Sequence, residues 1–120
     1  MIEYIKSVEE FDSIIAKAKE ANKVVLVDYT ASWCGPCRMI SPILDKLAGA
    51  ADPNRIEFYK VDVDETEEIS ARAGVTAMPT FHAYNSKSPN PGHDYAEMRG
   101  AVPKKLEQFI LDSLNGPASD

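Results

Sequence analysis

Cysteine is scarce in this chain, and the scarcity narrows its chemistry. Two cysteines in 120 residues cannot build the multi-bridge framework of a small secreted domain, and a chain of this length buries a core without one. Long hydrophobic runs are missing as well. The longest, around Val24–Val27, falls far short of the ~20 residues a membrane-spanning helix requires. No opening stretch combines basic residues, an apolar run and a small-residue cleavage site, so no export signal is read and a reducing, cytoplasmic location is expected. Positive charge is in deficit, 13 Lys and Arg against 19 Asp and Glu for a net charge of −6. That balance argues against nucleic acid and anionic membranes as partners. The six glycines never fall as G-x-G-x-x-G, so the chain shows no dinucleotide fingerprint. There is neither an internal repeat nor a low-complexity block, and one domain is expected over residues 1–115, followed by a frayed tail over 116–120.

What is present concentrates in five residues. Both cysteines lie in Trp33-Cys34-Gly35-Pro36-Cys37. Two intervening residues let the sulfurs close a small ring across the first turn of a helix, where unpaired N–H groups favour a thiolate at the first cysteine. Gly35 allows close backbone approach, and Pro36 is tolerated because its missing N–H falls in the first turn. In a chain without an export signal this spacing reads as catalytic rather than structural. A zinc site would need two more ligands. Only His82 and His93 are available, and they are eleven residues apart instead of the usual four to six.

The rest of the chain alternates strand-like and helix-like segments. Ile2–Ile5 reads as a short edge strand. Ser7 and Glu10 form a capping-box pattern ahead of Val8, Phe11, Ile14, Ile15 and Ala18 at helical spacing. Val24–Tyr29 reads as a buried central strand. A helix is predicted from about Cys34 to Ala48, with a kink at Pro42 and Gly49 as its stop. Ile56–Val63 is a further strand, and Glu67–Ala73 a short helix closed by Gly74. Thr80–Tyr84 and Tyr95–Arg99 form a hairpin around the long connection Asn85–His93. Pro103 opens a last helix whose apolar face is Leu106, Phe109, Ile110 and Leu114. A β-α-β unit followed by an α-β-β-α tail implies a mixed sheet covered on both faces by helices, an α/β fold.

With these residues in place the chain resembles the thioredoxin family over almost its whole length. The resemblance rests on Val25–Ser32 leading into Trp33–Cys37 and Arg38–Pro42, on Lys60–Asp64, on Ala77-Met78-Pro79-Thr80-Phe81 and on Gly100. Thr30–Cys34 and Ala77–Phe81 are more similar to eukaryotic cytosolic members than to bacterial ones. The resemblance implies the thioredoxin fold, a central mixed five-stranded sheet flanked by four helices. The chief departure is Asn85–His93, longer than the tight turn usual at this place and carrying two prolines. A five-residue strand carries it on the order of 15–20 Å from the sulfurs, and it reads as a solvated surface loop.

The resemblance also implies roles. Cys34, at the helix start and the more exposed sulfur, is the attacking thiol, with a pKa near ~7 in related sites; Cys37 resolves the mixed disulfide. Asp28 ends the run Val24–Val27, so burial is expected to raise its pKa, and the resemblance makes it the proton relay for Cys37, tuned by Lys60. Pro79 resembles the family's cis-proline. Met78 before it would pair through its backbone with an extended substrate segment. Trp33, Gly35, Pro36, Gly74, Val75, Gly100 and Ala101 would form the docking face. Asp62 and Asp64 read most simply as strand-end charges, with orientation of Trp33 the alternative for Asp64, and His82 and His93 receive no role.

The implied activity is that of a protein-disulfide reductase, monomeric and without a bound cofactor. It would act on oxidised proteins and be recharged by thioredoxin reductase at the expense of NADPH. An isomerase or oxidant would more usually carry histidine between the cysteines, and Gly35-Pro36 points instead to a reductant. A binding module without turnover would have no need of the cysteine pair, Asp28 and Pro79 together.

Overall fold

In the computed structural model, which describes residues 2–117, nine elements follow the predicted order. They are β1 (Glu3–Tyr4), α1 (Val8–Glu20), β2 (Val24–Thr30), α2 (Gly35–Ala50), β3 (Ile56–Asp62), α3 (Glu67–Arg72), β4 (Thr80–Tyr84), β5 (Tyr95–Arg99) and α4 (Pro103–Asn115). The sheet order is β1-β3-β2-β4-β5. β2 runs parallel to β3 and antiparallel to β4, and β4 runs antiparallel to β5. This is the mixed five-stranded sheet with four helices that the sequence implied.

Every residue of β2 is buried because the strand is central and covered on both faces, which is why it reads as a continuous apolar run. Side-chain alternation divides its residues between two cores. Val24 and Leu26 meet Ile40 and Leu44 of α2 and Leu106 and Ile110 of α4. Val25, Val27 and Tyr29 meet Phe11 and Ala18 of α1 and Ile69 of α3. Burying an aliphatic side chain such as Leu26 or Ile40 contributes about 1.5–3 kcal/mol, so these layers fix the register of β2 against both helical faces.

The start of α1 follows its sequence signal with one shift. Ser7 Oγ accepts from Glu10 N–H at 3.1 Å, while Glu10 Oε1 accepts from Lys6 N–H at 2.8 Å, one residue ahead of the usual reciprocal partner. The predicted stop of α2 is corrected. Gly49 lies inside the helix, which runs through Pro42 and on to Ala50. The chain turns extended at Ala51 (φ −79°, ψ 155°), and Pro53, which disfavours helical backbone at Asp52, forbids a continuation. Gly74 does close α3, in the left-handed region at φ 71°.

The hairpin strands fall where predicted, but their connection is more than a solvated loop. Asn85 Nδ2 donates to Lys23 O at 2.8 Å, Lys87 N–H to Ser113 O at 2.8 Å, and Asn90 N–H to Tyr95 O at 2.8 Å. Since the loop leaves the end of β4 opposite to the end of β2 that leads into the cysteines, it stands at the far end of the sheet from the sulfurs. Of the expected tail, Gly116 closes α4 by donating to Asp112 O at 2.8 Å; Ala118–Asp120 lie outside the described residues.

Candidate active site

β2 ends at Thr30, and a short turn delivers Cys34 to the N-cap of α2, with extended backbone and its N–H on Ala31 O at 3.2 Å. From that position Cys34 Sγ accepts the N–H of Cys37 at 3.2 Å. The two cysteines are joined as a disulfide, their Cα atoms 5.3 Å apart. A sulfur at an N-cap satisfies one of the helix's free donors, and the same donor and the helix dipole stabilise negative charge on it. In this oxidised state both cysteines are buried, with Cys34 only marginally the more exposed. Cys34 is 4% and Cys37 3% exposed, because Ala31, Val63 and Met78 pack around the pair.

Trp33 stands out beside this buried pair at 64% exposure. Its Nε1–H donates to Asp64 Oδ2 at 2.8 Å, so Asp64 takes the orienting role that was its alternative reading and is more than a strand-end charge. Asp62 Oδ1 accepts from the N–H groups of Asp64 and Glu65 at 2.9 and 3.1 Å, so Asp62 shapes the turn that presents Asp64. Arg38, part of the family resemblance but given no role from the sequence, donates from Nη1 to Ser32 O at 2.7 Å and ties α2 to the turn before the cysteines. An arginine one residue after a C-x-x-C pair was the available signal.

Beneath α2, Asp28 pairs in register with Lys60 on one side and Phe81 on the other. The carboxyl is 1% exposed, and among the described residues its Oδ1 has no hydrogen-bond partner. Burial pushes its pKa from 3.8 up to about 7; Lys60 opposes the rise and Asp45 adds to it. Lys60 is itself held from α2, its Nζ donating to Ser41 Oγ at 2.7 Å, and it lies 5.9 Å from the centre of the Tyr4 ring. Ser41, Tyr4 and Asp45 were not foreseen because they reach this pair only through folding.

The Met78–Pro79 peptide is cis, as the resemblance implied. Pro79 O accepts from Gly100 N–H at 2.9 Å, which draws Gly100, in the left-handed region at φ 94°, and Ala101 to the start of β4. Gly35 and Pro36 are exposed at the head of α2. Val75 is placed differently from the rest. It packs against the α1–α3 core, not against the cysteine cluster, and is held by its N–H on Ser70 O at 3.0 Å.

His82 is fully buried in β4, Nδ1 2.9 Å from Tyr84 Oη and Nε2 2.8 Å from Glu97 Oε2, while Tyr84 Oη lies 2.6 Å from Tyr29 Oη. Both ring nitrogens are thus engaged away from the cysteines, and among the described residues no three His, Cys, Asp or Glu side chains gather as a metal site. Sequence reasoning missed this network. Its signal was a histidine and a tyrosine two apart in a buried strand, where both must find partners.

Comparison with known proteins places this geometry. The family model for thioredoxin matches residues 3–112. A thioredoxin of Coprinus comatus is 40% identical over 114 residues, covering 95% of this chain and 99% of the relative. An H-type thioredoxin of Chlamydomonas reinhardtii is 40% identical over 106 residues, 88% of each chain. The solved thioredoxin of Malassezia sympodialis superposes with a TM-score of 0.78 at 35% identity, covering 93% of this chain and 92% of that one. Thioredoxins carry no bound cofactor; the redox group is the cysteine pair itself. With a disulfide-forming Cys34 and Cys37 at the head of α2 and relatives matched nearly end to end, the chain belongs to the thioredoxin family and is a thiol–disulfide reductase.

Proposed function

We propose that Cys34 is the attacking and Cys37 the resolving sulfur, with Asp28 and Lys60 handling the proton. The observation that carries the assignment is the bond from Cys37 N–H to Cys34 Sγ, which favours the thiolate at Cys34 and not at Cys37. In the reduced protein, the Cys34 thiolate attacks one sulfur of a substrate disulfide, forms a mixed disulfide and expels the first substrate thiolate. Cys37 then loses its proton to the Asp28 carboxylate and attacks Cys34 Sγ. The Cys34–Cys37 bond forms, the second substrate thiolate leaves and takes up a proton, and two electrons have passed to the substrate. A base with a pKa of about 7 is matched to this transfer near neutrality, and Lys60 keeps part of the Asp28 population ionised.

Trp33, Gly35, Pro36, Met78, Pro79, Gly100 and Ala101 are read as the face that receives an extended segment of the oxidised protein. Val75, set toward the other core, bounds it. Thioredoxins work with thioredoxin reductase and protein substrates; for this chain, recharging by such a reductase with NADPH, a monomeric state and a cytoplasmic site of action are part of the proposal. So is the extent of the domain, residues 1–115 with a tail over 116–120.

Insulin-disulfide reduction, driven by dithiothreitol and then by reductase with NADPH, tests the assignment. Cys34→Ser should be inert. Cys37→Ser should accumulate a mixed disulfide that survives non-reducing electrophoresis. Asp28→Asn should slow its resolution near pH 7. Trapping by Cys34→Ser instead of Cys37→Ser would reverse the assignment of the sulfurs.

A further inference from the structure

The sheet has two edges, and the chain treats them differently. At β1 the edge strand is two residues long, too short to template another chain. β5 is five residues long and offers a full row of backbone groups, the feature that invites strand addition by a second molecule. The ladder to β4 is bracketed by Asn85 N–H on Asp94 O and Gly100 N–H on Pro79 O. With alternation, the backbone groups of Asp94, Ala96 and Met98 therefore face β4, and those of Tyr95, Glu97 and Arg99 face outward.

Two of those outward groups are occupied by one residue of the long connection. Asn90 N–H donates to Tyr95 O at 2.8 Å, and Asn90 Oδ1 accepts from Glu97 N–H at 3.2 Å. One side chain and its own backbone thus occupy the place of a neighbouring strand. The loop is fixed on both sides of Asn90: Lys87 N–H is bonded to Ser113 O at 2.8 Å, Lys87 Nζ to Asn22 Oδ1 at 3.3 Å, and His93 N–H to Asn90 O at 3.0 Å. Asn90 sits between Pro89 and Pro91. Both prolines restrict the chain, and neither has an N–H to offer an incoming strand, so the outer side of the loop cannot extend the sheet.

We propose that the 85–94 connection is a strand guard, in which Asn90 occupies the outer edge of β5 and keeps a second copy of this chain from pairing there. A tight two-residue turn would leave Tyr95 O and Glu97 N–H open, and two β5 edges could then pair antiparallel about a two-fold axis. The extra residues are the length needed to bring Asn90 back to the edge. The guard stands at the end of the sheet away from the sulfurs, so its loss leaves disulfide exchange intact.

Two measurements test this. Amide exchange by NMR in the parent chain should show Glu97 N–H at least tenfold slower than Arg99 N–H, an outward amide of the same strand with no partner among the described residues, and Asn90→Ala should erase the difference. A chain with Ser86–His93 replaced by Asn-Gly, which keeps the hydrogen-bonded Asn85–Asp94 pair as the base of the turn, should self-associate at least tenfold more tightly than the parent in sedimentation equilibrium, with insulin reduction unchanged at concentrations where it is monomeric. Equal exchange at Glu97 and Arg99 in the parent overturns the proposal. So does a folded short-turn chain that associates no more than the parent. If the short-turn chain does not fold, the exchange comparison decides alone.

Discussion

Asp28 holds a carboxyl that water does not reach, and the consequence for stability follows from its shift. Its pKa rises from 3.8 to about 7 on folding, so between those values the folded state retains a proton that the unfolded chain releases. The contribution is complete below about pH 4 and is lost as pH rises through 7, when a buried carboxyl must ionise. The shift corresponds to on the order of 4 kcal/mol. Asp28→Asn, which carries no charge to bury, should exceed the parent in stability by up to about that amount above pH 8, with the gap closing toward pH 4. Guanidinium unfolding across that range measures it, and a gap independent of pH would refute the assignment. The burial of Asp28 was legible in Val24–Val27 before it; the hold of Ser41 on Lys60 was not, since 19 residues separate that pair.

For the elements, periodicity sets which segments are helix and which are strand, while their ends depend on neighbours. Gly49 illustrates the difference. As a C-terminal glycine in left-handed backbone it would resist substitution, but it lies within α2, and apart from its own chain neighbours and the adjoining helix backbone no atom stands within 4 Å of the point a Cβ would occupy. Gly49→Ala should therefore stabilise the protein by about 0.5–1 kcal/mol, read by thermal or denaturant unfolding; destabilisation would restore the glycine-stop reading. Across β2, β4 and β5 the buried hydroxyls make a second element-level prediction. Burial lowers the His82 pKa despite Glu97 beside it, so the neutral ring donates from Nε2 to Glu97 and accepts at Nδ1 from Tyr84, which in turn accepts from Tyr29. Tyr84→Phe breaks two of these bonds and leaves His82 Nδ1 and Tyr29 Oη unpaired, at a cost of about 2–4 kcal/mol, whereas Tyr29→Phe removes one, at about 1 kcal/mol. Equal losses in equilibrium unfolding would show that the chain of donors runs otherwise. Tyr29 and Tyr84 are 55 residues apart, and nothing local in the sequence assigned His82 a role or named its partners.

The whole molecule changes state with its single disulfide, and the bridge spans only three positions. In the chain-entropy account a ring this small constrains the unfolded state by about 2 kcal/mol. Oxidised protein should exceed reduced protein in stability by roughly that amount, measured by denaturant unfolding with and without dithiothreitol; equal stabilities would mean that the reduced site gains compensating contacts. Sequence by itself determined the element order, the sheet and its two helical faces, and the reactive pair, because apolar periodicity, caps and the spacing of Cys34 and Cys37 are local properties. Tertiary structure alone decided the depth of both sulfurs, the end of α2 beyond Gly49, the engagement of His82 and the return of Asn90 to β5. Each of these depends on groups distant in the chain, whose meeting is set by how the sheet and helices pack.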